Sequence, residues 1–486
     1  MRRRALSLLV LACLGLGPAA CRDQNEGAVK VVVVGSAPRM RDPALTPLSA
    51  SDSVLLATTA QGLVRFDATG NIVGGLAERW NVSDDGLSYI FRLAATDWPG
   101  GRKLTAQQVA RILKRAVAPS SANPLRDTLG AVDDIVAMTD RVIEIRLRAP
   151  RPNLLSLLAQ PEFGIVRDGV GTGPFLPEAS RDRSAGLRLR REIVSPDEET
   201  TARQELLLSG APADKAVRTF AAGGADLVLG GTFVDLPYAR RVKLPRNSLR
   251  FDPASGLFGL MPVRSGGAFG DPAVRQLLSQ AIDRDALIDA LRVPGLAPRA
   301  TVLEPGLEGV PAPTPPAWFG TALADRRAAL TAESERRFGG QKPVVRVYLP
   351  DGPGSDILFS RLQVDWGALG LTVERAGTPA AADFRLVDAI APSVSPAWFL
   401  RQFRCQVAPV CDADADELLD AARDAPVPAQ RGALLAQAAT KIDDAQLFLP
   451  LAAPIRWSLV SDRIQGFAGN RYARHTLTDL DQKQGF

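Results

Sequence analysis

The chain has 486 residues, a formal net charge of +5, 46% hydrophobic residues and 23% charged residues. This length predicts two or three domains, and the composition is that of a globular protein with a large core, which excludes a mainly disordered chain. The positive charge does not form a basic stripe along the sequence, so nucleic acid is not expected as a partner.

The first twenty residues have the order of an export signal. Arg2, Arg3 and Arg4 precede a mostly apolar run from Ala5 to Gly17, and small residues follow it. Residues 1–20 are therefore predicted to be a secretory signal peptide that is removed from the mature protein. The apolar run is too short to span a bilayer as a helix, and no later stretch is long and apolar enough, so the mature chain is expected to be soluble.

The residues at the predicted cleavage site resemble a bacterial lipobox. Pro18, Ala19 and Ala20 stand directly before Cys21. The resemblance implies that Cys21 becomes the lipidated N-terminus, which would make the protein a membrane-anchored lipoprotein outside the cytoplasm. Leucine is usual where Pro18 stands, and secretion without a lipid is the alternative interpretation.

Three strands and one capped helix are predicted in the first third of the chain. Val31–Val34 is an apolar run typical of a buried strand, and Tyr89–Leu93 follows a turn sequence. Thr105 and Gln108 have the spacing of a capping box, which predicts a helix that begins after Thr105. Residues 143–147 alternate apolar and charged side chains, as in a half-buried strand.

A strand–helix–strand unit is predicted further along the chain. Val344–Leu349 and Leu371–Glu374 are predicted strands, and the segment from about Asp356 to Leu369 is a predicted helix that Gly370 ends. Such a unit pairs its two strands in parallel and packs the helix on the sheet. The chain is therefore predicted to have an α/β fold.

Cys405 and Cys411 form the close cysteine pair of the mature chain. Five residues lie between them, and a close pair outside the cytoplasm is usually oxidised. We predict a disulfide bond between them. A zinc site is the alternative, although His475, the only histidine, is distant in sequence.

Five sequence blocks then occur in the order found in one protein family. They are GLVRFD at 62–67, LAERWNVS at 76–83, GTGPF at 171–175, DPAVRQ at 271–276 and LFLP at 447–450. Each block alone is weakly specific. Their shared order along nearly the whole mature chain resembles the family 5 solute-binding proteins of ABC importers, which bind dipeptides, oligopeptides or nickel.

The resemblance implies a two-lobed, periplasmic-binding-protein-like fold of type II with an extra domain inserted in the first lobe. The first lobe would comprise residues 29–57, 170–255 and 454–486. The inserted domain would be 58–169, and the second lobe would be 256–453. The predicted strand–helix–strand unit lies in this second lobe, in agreement with an α/β fold.

The resemblance also implies a function. A protein of this family captures a peptide or peptide-like solute by closing its lobes, with hinge strands expected near Leu257–Met261 and Leu449–Leu451, and delivers it to an ABC permease with ATPase subunits. The protein is expected to be a monomer, to use no cofactor or metal, and not to be an enzyme. A hydrolase on the same scaffold, or a peptide-sensing or chaperone-like lipoprotein without import, are the alternatives.

The sequence offers little catalytic chemistry. It contains no G-x-S-x-G elbow, no H-E-x-x-H motif and no G-x-x-x-x-G-K-[ST] motif. The single histidine, His475, leaves a serine or cysteine nucleophile with few possible bases. Paired carboxylates would still be possible, so these absences favour a binding protein without excluding an enzyme.

Two stretches contain candidate ligand contacts. In the resembled family the segment after an aspartate–proline pair lies along the ligand, which nominates Thr46, Pro47, Leu48 and Ser49 after Asp42 and Pro43; an ordinary surface loop is the alternative. The second stretch is in the second lobe and comprises Trp398, Arg401 and Arg404. They could supply an aromatic surface and carboxylate-binding guanidinium groups, but a core tryptophan and solvated arginines are the favoured interpretation.

The amine anchor of the family's peptide binders is missing. These proteins carry a tryptophan and an aspartate before a Pro-x-x-Phe-Leu pattern, which Pro396, Phe399 and Leu400 match here. Either of two registers puts other residues at the anchor positions, namely Ala389 and Pro392, or Ala391 and Val394. A desolvated amine without an ionic partner is costly. Either Asp388 substitutes, or the ligand presents no free amine at this place.

Overall fold

The protein is described here by a computed structural model, which covers residues 27–178, 186–194 and 201–482. The predicted signal peptide and Cys21 lie outside these described residues. The strands are β1 (Val29–Val34), β2 (Val64–Phe66), β3 (Ile72–Gly74), β4 (Ala77–Val82), β5 (Ser88–Leu93), β6 (Val132–Thr139), β7 (Val142–Leu147), β8 (Val166–Arg167), β9 (Val170–Gly171), β10 (Leu176–Pro177), β11 (Leu187–Val194), β12 (Thr201–Ala211), β13 (Leu227–Thr232), β14 (Leu249–Phe251), β15 (Gly256–Pro262), β16 (Val344–Tyr348), β17 (Thr372–Arg375), β18 (Phe384–Ile390), β19 (Leu449–Ala452), β20 (Arg456–Val460), β21 (Ile464–Gln465) and β22 (Asp481–Gln482).

Helices lie between and around these strands. Within the described ranges, none of them is both long and apolar enough to cross a membrane. The helices are α1 (Ala50–Thr59), α2 (Ala106–Val117), α3 (Leu154–Leu158), α4 (Ala213–Ala221), α5 (Leu236–Arg241), α6 (Pro272–Ala281), α7 (Arg284–Leu291), α8 (Leu323–Phe338), α9 (Pro353–Gly367), α10 (Pro396–Arg401), α11 (Ala413–Asp424) and α12 (Pro428–Asp444).

A seven-stranded sheet forms the first lobe. Its strand order is β10-β11-β12-β1-β13-β20-β14, and β1 pairs in parallel with both β12 and β13. The alternate residues Val29, Val31 and Val33 of β1 are fully buried, as expected for a central strand with both faces covered. The predicted strand at Val31–Val34 is therefore confirmed.

A five-stranded sheet forms the second lobe, with the order β17-β16-β18-β15-β19. Strands β16 and β17 are parallel and are joined by α9, so the predicted strand–helix–strand unit is confirmed. Helix α9 begins at Pro353 rather than near Asp356, because proline suits the first helical position, where no intrahelical bond from its nitrogen is needed.

A four-stranded antiparallel sheet, β4-β5-β7-β6, stands between β1 and β10 in the chain. Helix α2 packs on it through Val109 and Leu113, and its predicted capping box of Thr105 and Gln108 is present. We call residues 77–160, which contain this sheet, α2 and α3, the insert. The boundaries proposed at residues 58, 170 and 256 leave each of the three sheets within one proposed domain.

The two lobes share one hydrophobic core on the side where the chain passes between them. Phe233 follows β13 of the first lobe, and its ring lies 4.9 Å from that of Phe258 in β15 of the second lobe. Next to them, the Gly354 amide of α9 donates to the Val234 carbonyl at 2.9 Å. The sheets are connected by residues 252–255 and 453–455, directly outside β15 and β19.

The strands near which the hinges are predicted lie inside the second-lobe sheet, and the hinge motion itself stays a prediction. Leu257–Met261 and Leu449–Leu451 are paired strands inside the second-lobe sheet, and Leu260 pairs with Leu449. Residues held in a sheet ladder cannot change their backbone angles freely, whereas short connections between sheets can. A bend between the lobes would therefore fall in the connections 252–255 and 453–455.

Candidate ligand-binding cleft

A pocket of about 180 Å³ lies between the insert and the second lobe. Its walls come from residues 127–157 of the insert and residues 393–435 of the second lobe. Pockets at the interface between domains are the usual ligand sites of such proteins. We call it the arginine pocket, after the three arginines described next.

Arg151, Arg401 and Arg431 line the pocket without carboxylate partners. Arg151 precedes α3, Arg401 is the last residue of α10, and Arg431 lies in the first turns of α12. Within the described residues none of the three forms an ion pair. The Arg151 and Arg431 guanidinium groups both donate to the Pro150 carbonyl, at 2.8 Å and 3.2 Å.

Burial acts directly on these three charges. It lowers the pKa of Arg151 and of Arg401 to about 10, and it also lowers the pKa of Arg431. The positive charge of Arg431 further lowers the pKa of Arg151, so these two groups lie close enough to repel. All three stay protonated at neutral pH. Guanidinium groups bind carboxylates in a bidentate geometry, so the pocket favours an anionic group.

Acidic side chains act on these charges without forming an ion pair with them among the described residues: Asp424, Asp127 and Glu308 oppose the fall in pKa of Arg151, Arg401 and Arg431, respectively. Asp127 lines the pocket, but its side chain is 77% exposed and lies 3.4 Å from Arg126. Glu308 borders an adjoining pocket of about 160 Å³, which Arg431 also lines, and burial raises the pKa of Glu308. A raised pKa means that the surroundings disfavour the negative charge. The lining of the arginine pocket therefore carries more positive than negative charge, whereas Arg431 and Glu308 balance each other in the lining of the adjoining pocket.

Two buried hydrogen bonds join the insert to the second lobe beside the arginine pocket. The Asn153 side-chain amide donates to Ser393 Oγ, and the Gln160 side-chain amide donates to the Pro392 carbonyl, both at 2.8 Å. Arg474, near the C-terminus, donates to Gln160 Oε1 at 3.2 Å. These contacts hold the two walls of the cleft together.

The backbone at the missing amine anchor is already occupied in both registers. The Pro392 carbonyl accepts from Gln160, and the Val394 carbonyl accepts from the Glu308 amide at 3.0 Å. Ala391 is fully buried. Neither register places a carboxylate side chain at an anchor position.

Asp388 lies in β18 and is paired with Arg456, the first residue of β20. Their side chains are 2.8 Å apart and only 14% and 16% exposed. Burial raises the pKa of Asp388, while the Arg456 charge opposes that rise. Asp388 therefore has an ionic partner within the protein, in a pair that joins the second-lobe sheet to the first.

Trp398 and Arg404 line the arginine pocket but also have partners in the fold. Trp398 is 7% exposed and packs edge-to-face on Phe399, with the ring centres 5.1 Å apart. Arg404 is paired with Asp416 and Asp420 of α11. Of the three residues nominated in this stretch, Arg401 carries a charge that forms no ion pair with any described residue, although Asp127 acts on it from a greater distance.

Thr46, Pro47, Leu48 and Ser49 lead into α1 in the first lobe. Ser49 forms a capping box with Asp52, in which Ser49 Oγ accepts from the Asp52 amide at 3.2 Å. Leu48 packs on a small apolar cluster of the first lobe. None of the four lines the arginine pocket, and their contact with a ligand stays a prediction.

A second, largely apolar pocket of about 110 Å³ lies in the first lobe. It is lined by Val33 and Gly230, near the carboxyl ends of β1 and β13, and by Gln160, whose side chain also bonds to Pro392. Ligands of open α/β sheets bind outside the carboxyl ends of the strands. Each pocket thus has one of the two bridging side chains in its wall, Asn153 in the arginine pocket and Gln160 in the apolar one.

Cys405 and Cys411 are joined by a disulfide in the loop after α10. The Cys405 amide donates to Asp416 Oδ2 at 3.1 Å, which ties this loop to α11. Within the described residues, no cluster of three or more histidine, cysteine or acidic side chains is arranged to hold a metal ion.

Arg151, Arg431, Asn153 and Gln160 were not identified from the sequence. The one local signal is an arginine between two prolines at 150–152, directly before the apolar helix α3. Arg431 stands in an ordinary polar helix pattern. Nothing in the sequence indicates that residues 151 and 431 face the same pocket.

Relatives and solved structures resemble the chain along its length. It is 24% identical over 561 residues, covering 100% of both proteins, to the "Probable di/tripeptide-binding protein 5" of Pseudomonas aeruginosa. The structure of Haemophilus influenzae OppA in complex with RPPGFSPFR superposes with a TM-score of 0.78 at 16% identity, covering 94% of this chain and 99% of that one. The Escherichia coli murein tripeptide binding protein MppA gives 0.77 at 16% identity, with the same coverage.

These likenesses confirm the predicted two-lobed, periplasmic-binding-protein-like α/β fold. The family model described as "Bacterial extracellular solute-binding proteins, family 5 Middle" matches residues 71–399, which is well over half of the chain. That range includes the insert, the second-lobe sheet up to β18, and Arg151. The chain belongs to the family 5 bacterial extracellular solute-binding proteins.

Proposed function

We propose that this protein is the substrate-binding component of an ABC importer and captures a peptide or peptide-like solute between its lobes. The observation that carries the proposal is a pocket at the interface of the insert and the second lobe, lined by three arginines that form no ion pair within the described part of the chain. The names of its relatives support the solute class, because they include a probable di/tripeptide-binding protein and an OppA in complex with RPPGFSPFR. No specific observation favours a hydrolase.

Capture would occur by lobe closure. The shared core around Phe233 and Phe258 would stay packed as the pivot, while the connections 252–255 and 453–455 bend. On the cleft side, the Asn153–Ser393 and Gln160–Pro392 hydrogen bonds would form as the walls meet. A ligand stabilises the closed state to the extent that it binds that state more tightly than the open one.

The transport partners would be a permease and its ATPase subunits. The chain has no G-x-x-x-x-G-K-[ST] phosphate-binding motif, so ATP hydrolysis would be supplied by those subunits. The protein would act as a monomer outside the cytoplasm, and the permease would recognise the closed form.

The proposal is tested by identifying what the protein carries. The exported protein is purified without ligand addition, denatured in organic solvent, and the released small molecules are identified by mass spectrometry. We expect peptides or amino-acid derivatives in stoichiometric amounts. The melting temperature of the ligand-free protein should then rise when these compounds are added, since ligand binding stabilises the native state. Recovery of only an unrelated solute class would contradict the proposal.

Membrane attachment would depend on Cys21. Cells are grown with a fatty-acid analogue that can be tagged chemically. The wild-type protein should be labelled, because the Cys21 thiol would carry the lipid, and the Cys21→Ser variant should not be labelled. The Cys13→Ser variant is the matched control and should be labelled like the wild type. Labelling of Cys21→Ser at the wild-type level would show that Cys21 is not the lipidation site.

A further inference from the structure

We propose that the arginine pocket binds the acidic end of the solute and that this protein selects ligands by a terminal carboxylate group, not by a free amine. A ligand end with two carboxylates, such as a C-terminal glutamate or aspartate, would fill the pocket best. The inference rests on the proposed function in taking the solute to be peptide-like, and it adds the chemical group that is recognised.

The pocket contains both paired and unpaired arginines, and the difference between them is informative. Arg404 and Arg423 line the same pocket, but each is within 3.0 Å of a carboxylate of α11 or its end. Arg151, Arg401 and Arg431 are more secluded from solvent than Arg423, yet they have no such partner among the described residues. Charges shielded from solvent are normally paired, so three half-buried guanidinium groups in one cavity, with no ion pair among the described residues, indicate a place for an external anion.

The three charges come from both walls of the cleft. Arg151 belongs to the insert, and Arg401 and Arg431 belong to the second lobe. Without an anion, closing the cleft brings Arg151 and Arg431 into mutual repulsion, which already lowers the pKa of Arg151. An anion between them would turn this repulsion into attraction from both sides. Ligand charge would therefore favour the closed state directly.

For the opposite end of a peptide, the residues at the family's amine-anchor positions offer no comparable ionic partner. The positions of the family's amine anchor carry Pro392 or Val394, and their carbonyls already accept hydrogen bonds. Asp388 is paired with Arg456. A free amine would gain no ionic contact from any of these residues, so we expect acetylation of the ligand amine to matter little.

The test uses the full-length protein after its bound ligand has been removed. The protein is incubated with two mixtures of tri- and tetrapeptides. Both mixtures contain the same set of sequences, but the C-termini are free carboxylates in one and amides in the other. The peptides that the protein retains are quantified by mass spectrometry. We expect retention of free-carboxylate peptides to exceed that of the amides by about 10- to 100-fold, the range for losing a charge-assisted hydrogen bond. Peptides ending in glutamate or aspartate should be enriched further, and N-acetylated versions should be retained equally well.

Variants then assign the effect to the pocket. Arg401→Gln and Arg431→Gln should each reduce the preference for free carboxylates by about tenfold or more, since each removes one cation. Arg423→Gln is the matched control, because Arg423 lines the pocket but is ion-paired; it should leave the preference unchanged. Variants with the same melting temperature as the wild type are correctly folded. The comparison of free and amidated peptides on the wild-type protein does not depend on the variants.

The outcomes separate this inference from the proposed function. Equal retention of free and amidated peptides would overturn the inference while leaving peptide capture in place. Glutarate is the peptide-free probe. Suppose that no peptide is retained, but that glutarate raises the melting temperature of the wild type and not that of Arg401→Gln. This result would contradict peptide capture and support the anion site. Failure to bind either the peptides or glutarate would overturn both.

Discussion

The Arg456→Met variant is expected to lose about 3 kcal/mol of the free energy of unfolding, the lower end of the cost of breaking a buried ion pair. Arg456 is the partner of Asp388, and both side chains are largely shielded from solvent. Its charge also acts on Asp235. Burial raises the pKa of Asp235, and the Arg456 charge opposes part of that rise. Removing the guanidinium leaves buried carboxylate charge uncompensated, which is the physical reason for the loss. Urea denaturation measures it.

Two comparisons identify the ion pair as the cause. Arg218→Met removes the partner of Asp214 in an exposed pair, whose arginine side chain is 65% exposed, and should cost less than about 1 kcal/mol. The double variant Arg456→Met, Asp388→Leu should recover most of the stability, because neither charge then remains buried. A double variant as unstable as the single one would contradict this account.

The loss in Arg456→Met should also depend on pH. Burial already raises the folded-state pKa of Asp388, and removing the opposing Arg456 charge raises it further above the unfolded value. Such a group stabilises the fold at low pH, where it is protonated, and that contribution is lost as the pH rises through the folded pKa. The difference in stability between variant and wild type should therefore be larger at pH 8 than at pH 5.

The Gly354→Ala variant is expected to lose about 2–3 kcal/mol of stability, a typical cost of overpacking, and to weaken ligand capture. A Cβ atom at Gly354 would lie 2.0 Å from the Phe233 carbonyl oxygen, well inside van der Waals contact. Gly354 belongs to α9 of the second lobe and Phe233 to the first lobe, so the clash falls on the contact at the proposed pivot. The lobes would be forced apart there, which small-angle X-ray scattering and the melting temperature would detect.

The same helix provides the control. Gly367 is the last residue of α9, and a Cβ atom there would meet nothing within 4 Å. Gly367→Ala should be neutral or stabilise the protein by about 0.5–1 kcal/mol, because alanine restricts the unfolded chain more than glycine does. If Gly354→Ala proved as stable as Gly367→Ala, the close backbone contact between the lobes would not exist in solution.

The sequence by itself determined the class of the protein. The period-two pattern of residues 143–147, the capping box at Thr105 and the strand–helix–strand unit around α9 were all predicted from local residues and are all present. These features depend on neighbours within a few positions, which is why they can be recognised without a fold. The ordered sequence blocks then identified the family that the match of its model to residues 71–399 confirms.

The tertiary structure alone decided which charged residues face the cleft. Arg401 and Arg404 are three residues apart and look alike in the sequence, yet α11 supplies carboxylates only to Arg404. Arg151 and Arg431 are separated by 280 positions and meet only because the insert packs against α12. Whether a charge has a partner is set by long-range packing, which no local pattern encodes. For the same reason, only the fold could reveal that Asp388 is already paired with Arg456.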